Sequence, residues 1–318
     1  MVRPVLDYLA SKDPSPDGQY QNWHITRITG GWNNLLYRAT NSLSDLAIKF
    51  TVRDRRHRAD REYSALSALH QAGLSIAPKP VLLDRTRYAQ PVVVQTWLEG
   101  KVSATPPTTD DEWMALLQHL AAIHTLTPDK TDVRLRKAVL NANNVKEGRK
   151  IVRQQMTLIP QEAQPASLQA LLRQFEATRF PDWPEAPVAL CRVDANTLNF
   201  VRRPGLWASV DWENSGWGDP AFEIADLMTH AAYVEVPSRR WEWAIDAYCN
   251  LTSDIGAAIR IQVYYKVLLV WWVARLARYL YQVPRGLDER LVSLPVDWQA
   301  DMLAKYEHYW GLAEACLA

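Results

Sequence analysis

Cysteine is nearly absent: three residues in 318, at positions 191, 249 and 316, with no CxxC pair and no metal-ligand spacing. A scattered, odd count argues against a disulfide framework and points to a reducing, cytoplasmic setting. Glycine is also scarce, at 12 residues. No tract of low complexity and no repeat of 20–50 residues runs through the chain, which excludes a solenoid. Neither sign of charge dominates, for the net charge is +1. There is then no global field that would select nucleic acid or an anionic membrane as partner. Long apolar runs are missing too. The first residues, Met1-Val-Arg-Pro-Val-Leu-Asp7, lack the apolar core of a signal peptide. The most apolar helical segment, 262–281, is broken by Lys266, Arg275 and Arg278, so only 267–274 is uninterrupted. A membrane span needs roughly 20 such residues, and a buried core helix is expected here instead.

What remains is an ordinary globular composition, 48% hydrophobic and 22% charged, with 14 tryptophans. The length suffices for two lobes. In the first hundred residues, 23–29, 35–39, 46–52, 81–83 and 91–97 read as strands. Residues 58–72 have helical spacing, with Tyr63, Leu66, Leu69 and Ala72 on one face and Gly73 as the stop. A Thr/Pro-rich segment follows Leu98-Glu-Gly100 and reads as a linker. Beyond it the pattern is helical at about 111–125, 141–158, 166–178, 220–233, 238–250, 255–282 and 297–315. The expected architecture is α+β: a small β-rich lobe over 1–97 and a larger, mainly helical lobe over 98–318.

One stretch interrupts the helices. After Asp194 and Asn199 comes a short apolar run, then Arg202-Arg-Pro-Gly205, then a second apolar run ending at Asp211. Two strand-like runs around such a turn predict a β-hairpin, whose closure brings Asn199 beside Asp211. Two oxygen ligands at a hairpin mouth, with a carboxylate five residues upstream, can hold Mg²⁺ next to a base. Asp194 is the candidate base, and Asn199 and Asp211 the candidate metal ligands. The bland alternative is an Asx turn at Asp194 and two polar residues flanking a hairpin.

Upstream, Lys49 lies within an otherwise apolar strand, and Glu62 comes 13 positions later on the following helix. A lysine there is costly unless it faces an anion, and a strand-Lys to helix-Glu pair can aim it at nucleotide phosphates. Gly30-Gly31 lies between two strands, where the backbone could approach phosphates or simply turn.

In order along the chain, these residues resemble the aminoglycoside phosphotransferase/choline kinase family, small-molecule relatives of the protein kinases. Asp194-Ala-Asn-Thr-Leu-Asn199 resembles its catalytic loop, and Val210-Asp-Trp-Glu213 its metal motif. Gly218-Asp-Pro220 follows, as it does in the family. Thr29-Gly-Gly-Trp-Asn-Asn34, Ala47-Ile-Lys49, Arg61-Glu-Tyr-Ser-Ala-Leu66 and Leu120-Ala-Ala-Ile-His124 resemble its nucleotide turn, lysine strand, glutamate helix and Leu-x-x-Leu-His helix. The resemblance implies a bilobal, protein-kinase-like fold with ATP and Mg²⁺ between the lobes. Gly30, Gly31, Asn34, Lys49, Glu62, Gln95 and Trp97 would then serve the nucleotide, with 95–98 as a hinge whose backbone reads adenine. The γ-phosphate would pass to a hydroxyl of a small molecule such as an aminoglycoside or a choline-like amino alcohol.

Two positions depart from the family pattern. Arg192 and Val193 stand where the family has His and Gly before the catalytic Asp. An arginine there would hold the loop through a carboxylate or carbonyl. The departure also leaves open an alternative, a pseudokinase or nucleotide-binding regulator. Asp219, before Pro220, reads as a helix cap, and His124 as a core histidine. Six tryptophans (212, 217, 241, 243, 271 and 272) suit either core packing or an ammonium site, and Glu213, Glu223, Asp226, Glu235, Glu242 and Asp246 would attract a cation.

Overall fold

A computed structural model describes residues 2–11, 17–29, 34–183, 185–287, 291 and 294–318. Its first part is an antiparallel sheet with two helices. These are α1 (Arg3–Ser11), β1 (Asp17–Tyr20), β2 (Trp23–Ile28), β3 (Leu35–Thr40), β4 (Asp45–Phe50), α2 (Arg58–Gln71), β5 (Pro80–Asp84) and β6 (Val92–Thr96). The strand order is β1-β2-β3-β4-β6-β5. Side chains alternate across a strand. In β4, Ile48 and Phe50 therefore join Trp23, Ile25, Tyr37, Val92 and Val94 in one core, closed by Val5, Leu6 and Leu9 of α1. Lys49 points the opposite way, toward α2. Neither α1 nor β1 stands out in the sequence, since each is short and lies beside residues with no clear period. Gly73 ends α2 with φ +72°, the left-handed conformation that glycine adopts most readily.

The second part is mainly helical. It comprises α3 (Asp110–His124), α4 (Val145–Met156), α5 (Ala166–Ala177), α6 (Pro220–Thr229), α7 (Ser238–Thr252), α8 (Ala257–Gln282) and α9 (Trp298–Leu317). Two small pairings interrupt it: β7 (Ala189–Cys191) with β10 (Gly216–Gly218), and β8 (Phe200–Val201) with β9 (Ala208–Ser209). The helix starts follow capping chemistry. Thr109 accepts from the Glu112 N–H at 3.2 Å, Asn144 from Glu147 at 2.9 Å, and Asp219 from Ala221 at 3.0 Å. α8, the apolar helix anticipated at 262–281, packs on α4, α6 and α9. It is long and apolar enough to cross a membrane, yet two-thirds of its most apolar window is buried inside the molecule. The antiparallel N-terminal sheet and helical C-terminal part bear out the expected fold class.

Most tryptophans among those singled out fill this core. Trp212 is fully buried and donates to the Ser209 carbonyl at 2.9 Å, and Trp241 packs edge-on against Trp113 at 5.2 Å. Where Gly216 passes the 136–138 segment, a Cβ would meet the Arg136 carbonyl oxygen at 2.3 Å. Only glycine allows β10 to lie that close.

Candidate active site

The hairpin forms as the turn chemistry predicts: Phe200 pairs with Ser209, and Val201 with Ala208. Just outside the pairing, the Val210 N–H donates to the Asn199 carbonyl at 2.9 Å. Asn199 and Asp211 thus meet at the hairpin mouth. Asn199 closes a 3₁₀ turn over Thr197–Asn199, and its amide nitrogen is buried with no hydrogen-bond partner. Upstream, Asp194 accepts the Asn196 N–H at 3.1 Å. This is the Asx turn anticipated as the bland reading, and it also fixes the carboxylate's rotamer, with no hydrogen bond to its second oxygen among the described residues.

Lys49 sits at the centre of the site. Its ammonium lies 2.5 Å from Asp211 Oδ1, 2.9 Å from Glu62 Oε2 and 3.1 Å from Glu213 Oε2. Lys49, Glu62 and Glu213 are all nearly inaccessible. Burial alone would drive the lysine toward its neutral form, but Asp211, Glu213 and Glu62 outweigh it and hold the ammonium charged. The carboxylates divide. Burial lifts Glu62 to about 7 and Asp211 to about 6, with Lys49 opposing and the neighbouring carboxylates reinforcing. Burial works against Glu213 as well, yet Lys49 and Arg58 hold it below the usual range. Asp194 is raised chiefly by burial, while Arg192 pulls the other way.

Glu213 is the residue that sequence reasoning undervalued, having grouped it with the acids that would attract a cation. It joins Lys49, the Arg58 guanidinium and Asn34, whose amide donates to it at 2.6 Å. Arg58 also holds Asp54 at 2.9 Å, so this arginine at the start of α2 is structural. The signal was present: Glu213 follows Asp211 by two positions within the same Val210-Asp-Trp-Glu213 segment. Asn34 receives the Val52 N–H at 3.3 Å, which makes it a brace between strands rather than a free ligand group.

The loop bearing Asp194 is fastened from below. Glu223 on α6 accepts the N–H of Arg192 at 3.0 Å and of Val193 at 3.1 Å, and contacts His124 Nε2 at 2.9 Å. His124 Nδ1 reaches the Tyr248 hydroxyl at 2.8 Å, so it is the satisfied core histidine expected. Val193 has φ +57° and Asp211 φ +62°. A β-branched residue in the left-handed region costs on the order of 1–3 kcal/mol and persists only when its surroundings over-determine it. The two N–H bonds to Glu223 are that constraint. Asp219 caps α6 as anticipated and is itself gripped by Arg260 at 2.8 Å and Tyr264 at 2.9 Å.

The other anticipated positions are less central. Gln95 lies buried in β6, its Oε1 without a partner. Trp97 stacks beneath the Arg38 guanidinium at 4.5 Å. The N–H groups of Thr96 and Trp97 are given to the carbonyls of Lys79 and Asp45. A base reading this strap by N–H donation would therefore have to use the chain beyond Trp97. Gly30 and Gly31 lie outside the described residues. Of the acids considered for a cationic ligand, Glu235, Glu242 and Asp246 are exposed, while Glu213 and Glu223 are engaged. Asp226 differs from all of these. It is 5% exposed, no hydrogen bond to its carboxylate is formed among the described residues, and burial with the nearby Asp194 and Glu223 pushes it up to about 7.

The family model of the phosphotransferase enzyme family matches residues 24–255, about three-quarters of the chain. No curated protein sequence matches. Solved structures do. A choline/ethanolamine kinase family protein from Mesorhizobium loti is 18% identical with a TM-score of 0.64, over 100% of this chain and 95% of that one. Spectinomycin phosphotransferase, solved with ADP and spectinomycin, is 14% identical with a TM-score of 0.64, over 99% and 98%. The choline kinase LicA from Streptococcus pneumoniae is 15% identical with a TM-score of 0.62, over 98% of each chain. At such identities the likeness is one of fold, the bilobal, protein-kinase-like fold.

Proposed function

The chain belongs to the phosphotransferase enzyme family, and from that premise we propose that it moves the γ-phosphate of ATP to a hydroxyl of a small molecule, with Asp194 as base. The observation that carries this reading is the cage around Lys49, where residues from β4, α2 and the segment after β9 converge beside Asp194. Lys49, steadied by Glu62 and Glu213, is the group that meets the phosphates. Asp194, its rotamer fixed by the Asn196 N–H, accepts or orients the proton of the attacking hydroxyl.

Mg²⁺ fits the residues at the hairpin mouth. Asn199 and Asp211 offer hard oxygen donors, the kind this ion takes. The Lys49 cage gathers three carboxylates, and Asp211 is lifted chiefly by burial, with Glu213 and Asp194 reinforcing. When bound, the ion would neutralise charge on the transferring phosphoryl group. In this reading residues 1–97 form the nucleotide lobe, completed by the Gly30-Gly31 turn and the strap around Gln95 and Trp97. Residues 98–318 form the acceptor lobe.

Asp226 supports an acceptor that carries an amine. Its carboxylate has no hydrogen-bond partner among the described residues, and it lies close enough to Asp194 to feel its charge. The free cysteines suit a reducing, cytoplasmic compartment.

A panel of hydroxyl-bearing amines, metabolites and antibiotics, with ATP consumption and acceptor mass as readouts, tests this. One or more amine-bearing acceptors should gain a phosphate, EDTA should abolish the gain, and Asp226→Asn should raise the acceptor KM more than the ATP KM. Nucleotide binding without transfer to any acceptor would instead favour a nucleotide-binding regulator.

A further inference from the structure

Arg192 is the largest charged side chain with no exposure at all, and it forms no ion pair among the described residues. A guanidinium is seldom buried without a carboxylate partner, because desolvating the charge is expensive. Here carbonyl oxygens and a ring take that place. One terminal nitrogen donates to the Asp194 carbonyl, and the other to the Val210 carbonyl at 3.4 Å. The guanidinium carbon lies 4.6 Å from the centre of the Phe200 ring. These three contacts fall on the base-bearing residue, on the residue after Asn199 and on the residue before Asp211. Among the described residues, no other side chain bonds to both the Asp194 and Val210 carbonyls.

We propose that Arg192 is a positioning residue: its buried guanidinium locks the loop carrying Asp194 to the hairpin carrying Asn199 and Asp211, so that base and metal ligands keep one fixed spacing. The planar fork suits the task, because two terminal nitrogens can reach two carbonyls at once while the face covers an aromatic ring. Lysine, a point donor on a flexible stem, lacks both the preset fork and the flat face that covers the ring, and so holds the two carbonyls less rigidly. The fastening by Glu223 acts on the other side of the same loop, holding the main-chain N–H groups of residues 192 and 193 to α6. The loop is thus held at its N–H groups by α6 and at its carbonyl by the arginine. Val193 can sustain a left-handed conformation between these two anchors.

The inference rests on the phosphotransfer reading only for its kinetic arm, so the test pairs a structural readout with a catalytic one. Hydrogen exchange followed by mass spectrometry is measured on wild type, Arg192→Lys and Arg192→Gln. The lock predicts that exchange accelerates about tenfold or more in 193–199 and 208–212 together, with α8 and β2–β6 unchanged, and that lysine gives a smaller effect than glutamine. In turnover assays kcat should fall by about tenfold to a hundredfold while the ATP KM stays within about threefold, because nucleotide-side contacts are untouched. Exchange unchanged in both segments, or raised only in the Asp194 loop, overturns the lock. So does loosening that extends over α8 in both variants, since that marks a packing role. Coupled loosening in a protein that transfers phosphate to nothing would uphold the lock and refute the function.

Discussion

Lys49 is the residue whose removal the structure punishes most. Among the described residues it is the one cation touching Glu62, Asp211 and Glu213 together, although Arg58 also holds Glu213. Lys49→Met leaves Glu62 and Asp211 without their ion-pair partner, and breaking a buried charge cluster this way costs about 3–5 kcal/mol. The loss depends on pH with a definite sign. Glu62 is pushed up to about 7 and Asp211 to about 6, so both are largely neutral below about pH 5 and charged above about pH 7. The variant's deficit in denaturant melts should therefore be smaller in mild acid and grow as pH rises through that window. An equal deficit at both ends would show that Lys49 acts through packing alone. Lys49, Glu62, Asp194, Asn199 and Asp211 were legible because each is a polar residue in a place that elementary physics disfavours or that a hairpin brings together. Glu213 was not, since a surface acid and a buried one look alike until the fold supplies Arg58 and Asn34.

At the scale of elements, α6 ties the core to the chemistry. Its cap residue Asp219 binds Arg260 and Tyr264 of α8, and one turn later Glu223 holds the loop that carries Asp194. Glu223→Ala leaves the N–H groups of residues 192 and 193 without their acceptor, and should destabilise the chain by about 1.5–3 kcal/mol, the range for bonds to a charged group. Chemical denaturation checks the first effect. Kinetics check the second: kcat should drop while the ATP KM is nearly unmoved. A fully active, equally stable variant would mean that the loop is held elsewhere. Most helices of the second part could be placed from periodicity and caps, to within a turn at their ends. The strands β7 and β10 could not, because three-residue segments carry no period. α1 was missed for a similar reason: its burial depends on a sheet face that local sequence does not reveal.

For the molecule as a whole, the account is of two parts meeting at one charged seam, with β4 and α2 on one side and the segment after β9 on the other. Mg²⁺ binding should report on that seam. Asp211, raised to about 6, must lose its proton to ligate the ion, so ion binding releases protons and strengthens as pH rises through that value. The rise in melting temperature that Mg²⁺ adds to ADP should be small at about pH 5 and large at about pH 7.5. A shift independent of pH would place the ion away from Asp211. The acceptor was the least legible part of the sequence, since its surroundings come from helices whose exposed and buried acids share one composition. The measurement that bears most directly on the central claim is steady-state turnover of Asp194→Asn with the acceptor that the panel identifies. Removing a general base predicts a fall in kcat of about a hundredfold to ten-thousandfold with ATP affinity retained. Turnover within about twofold of wild type would contradict the assignment of Asp194, and with it the proposed chemistry of the site.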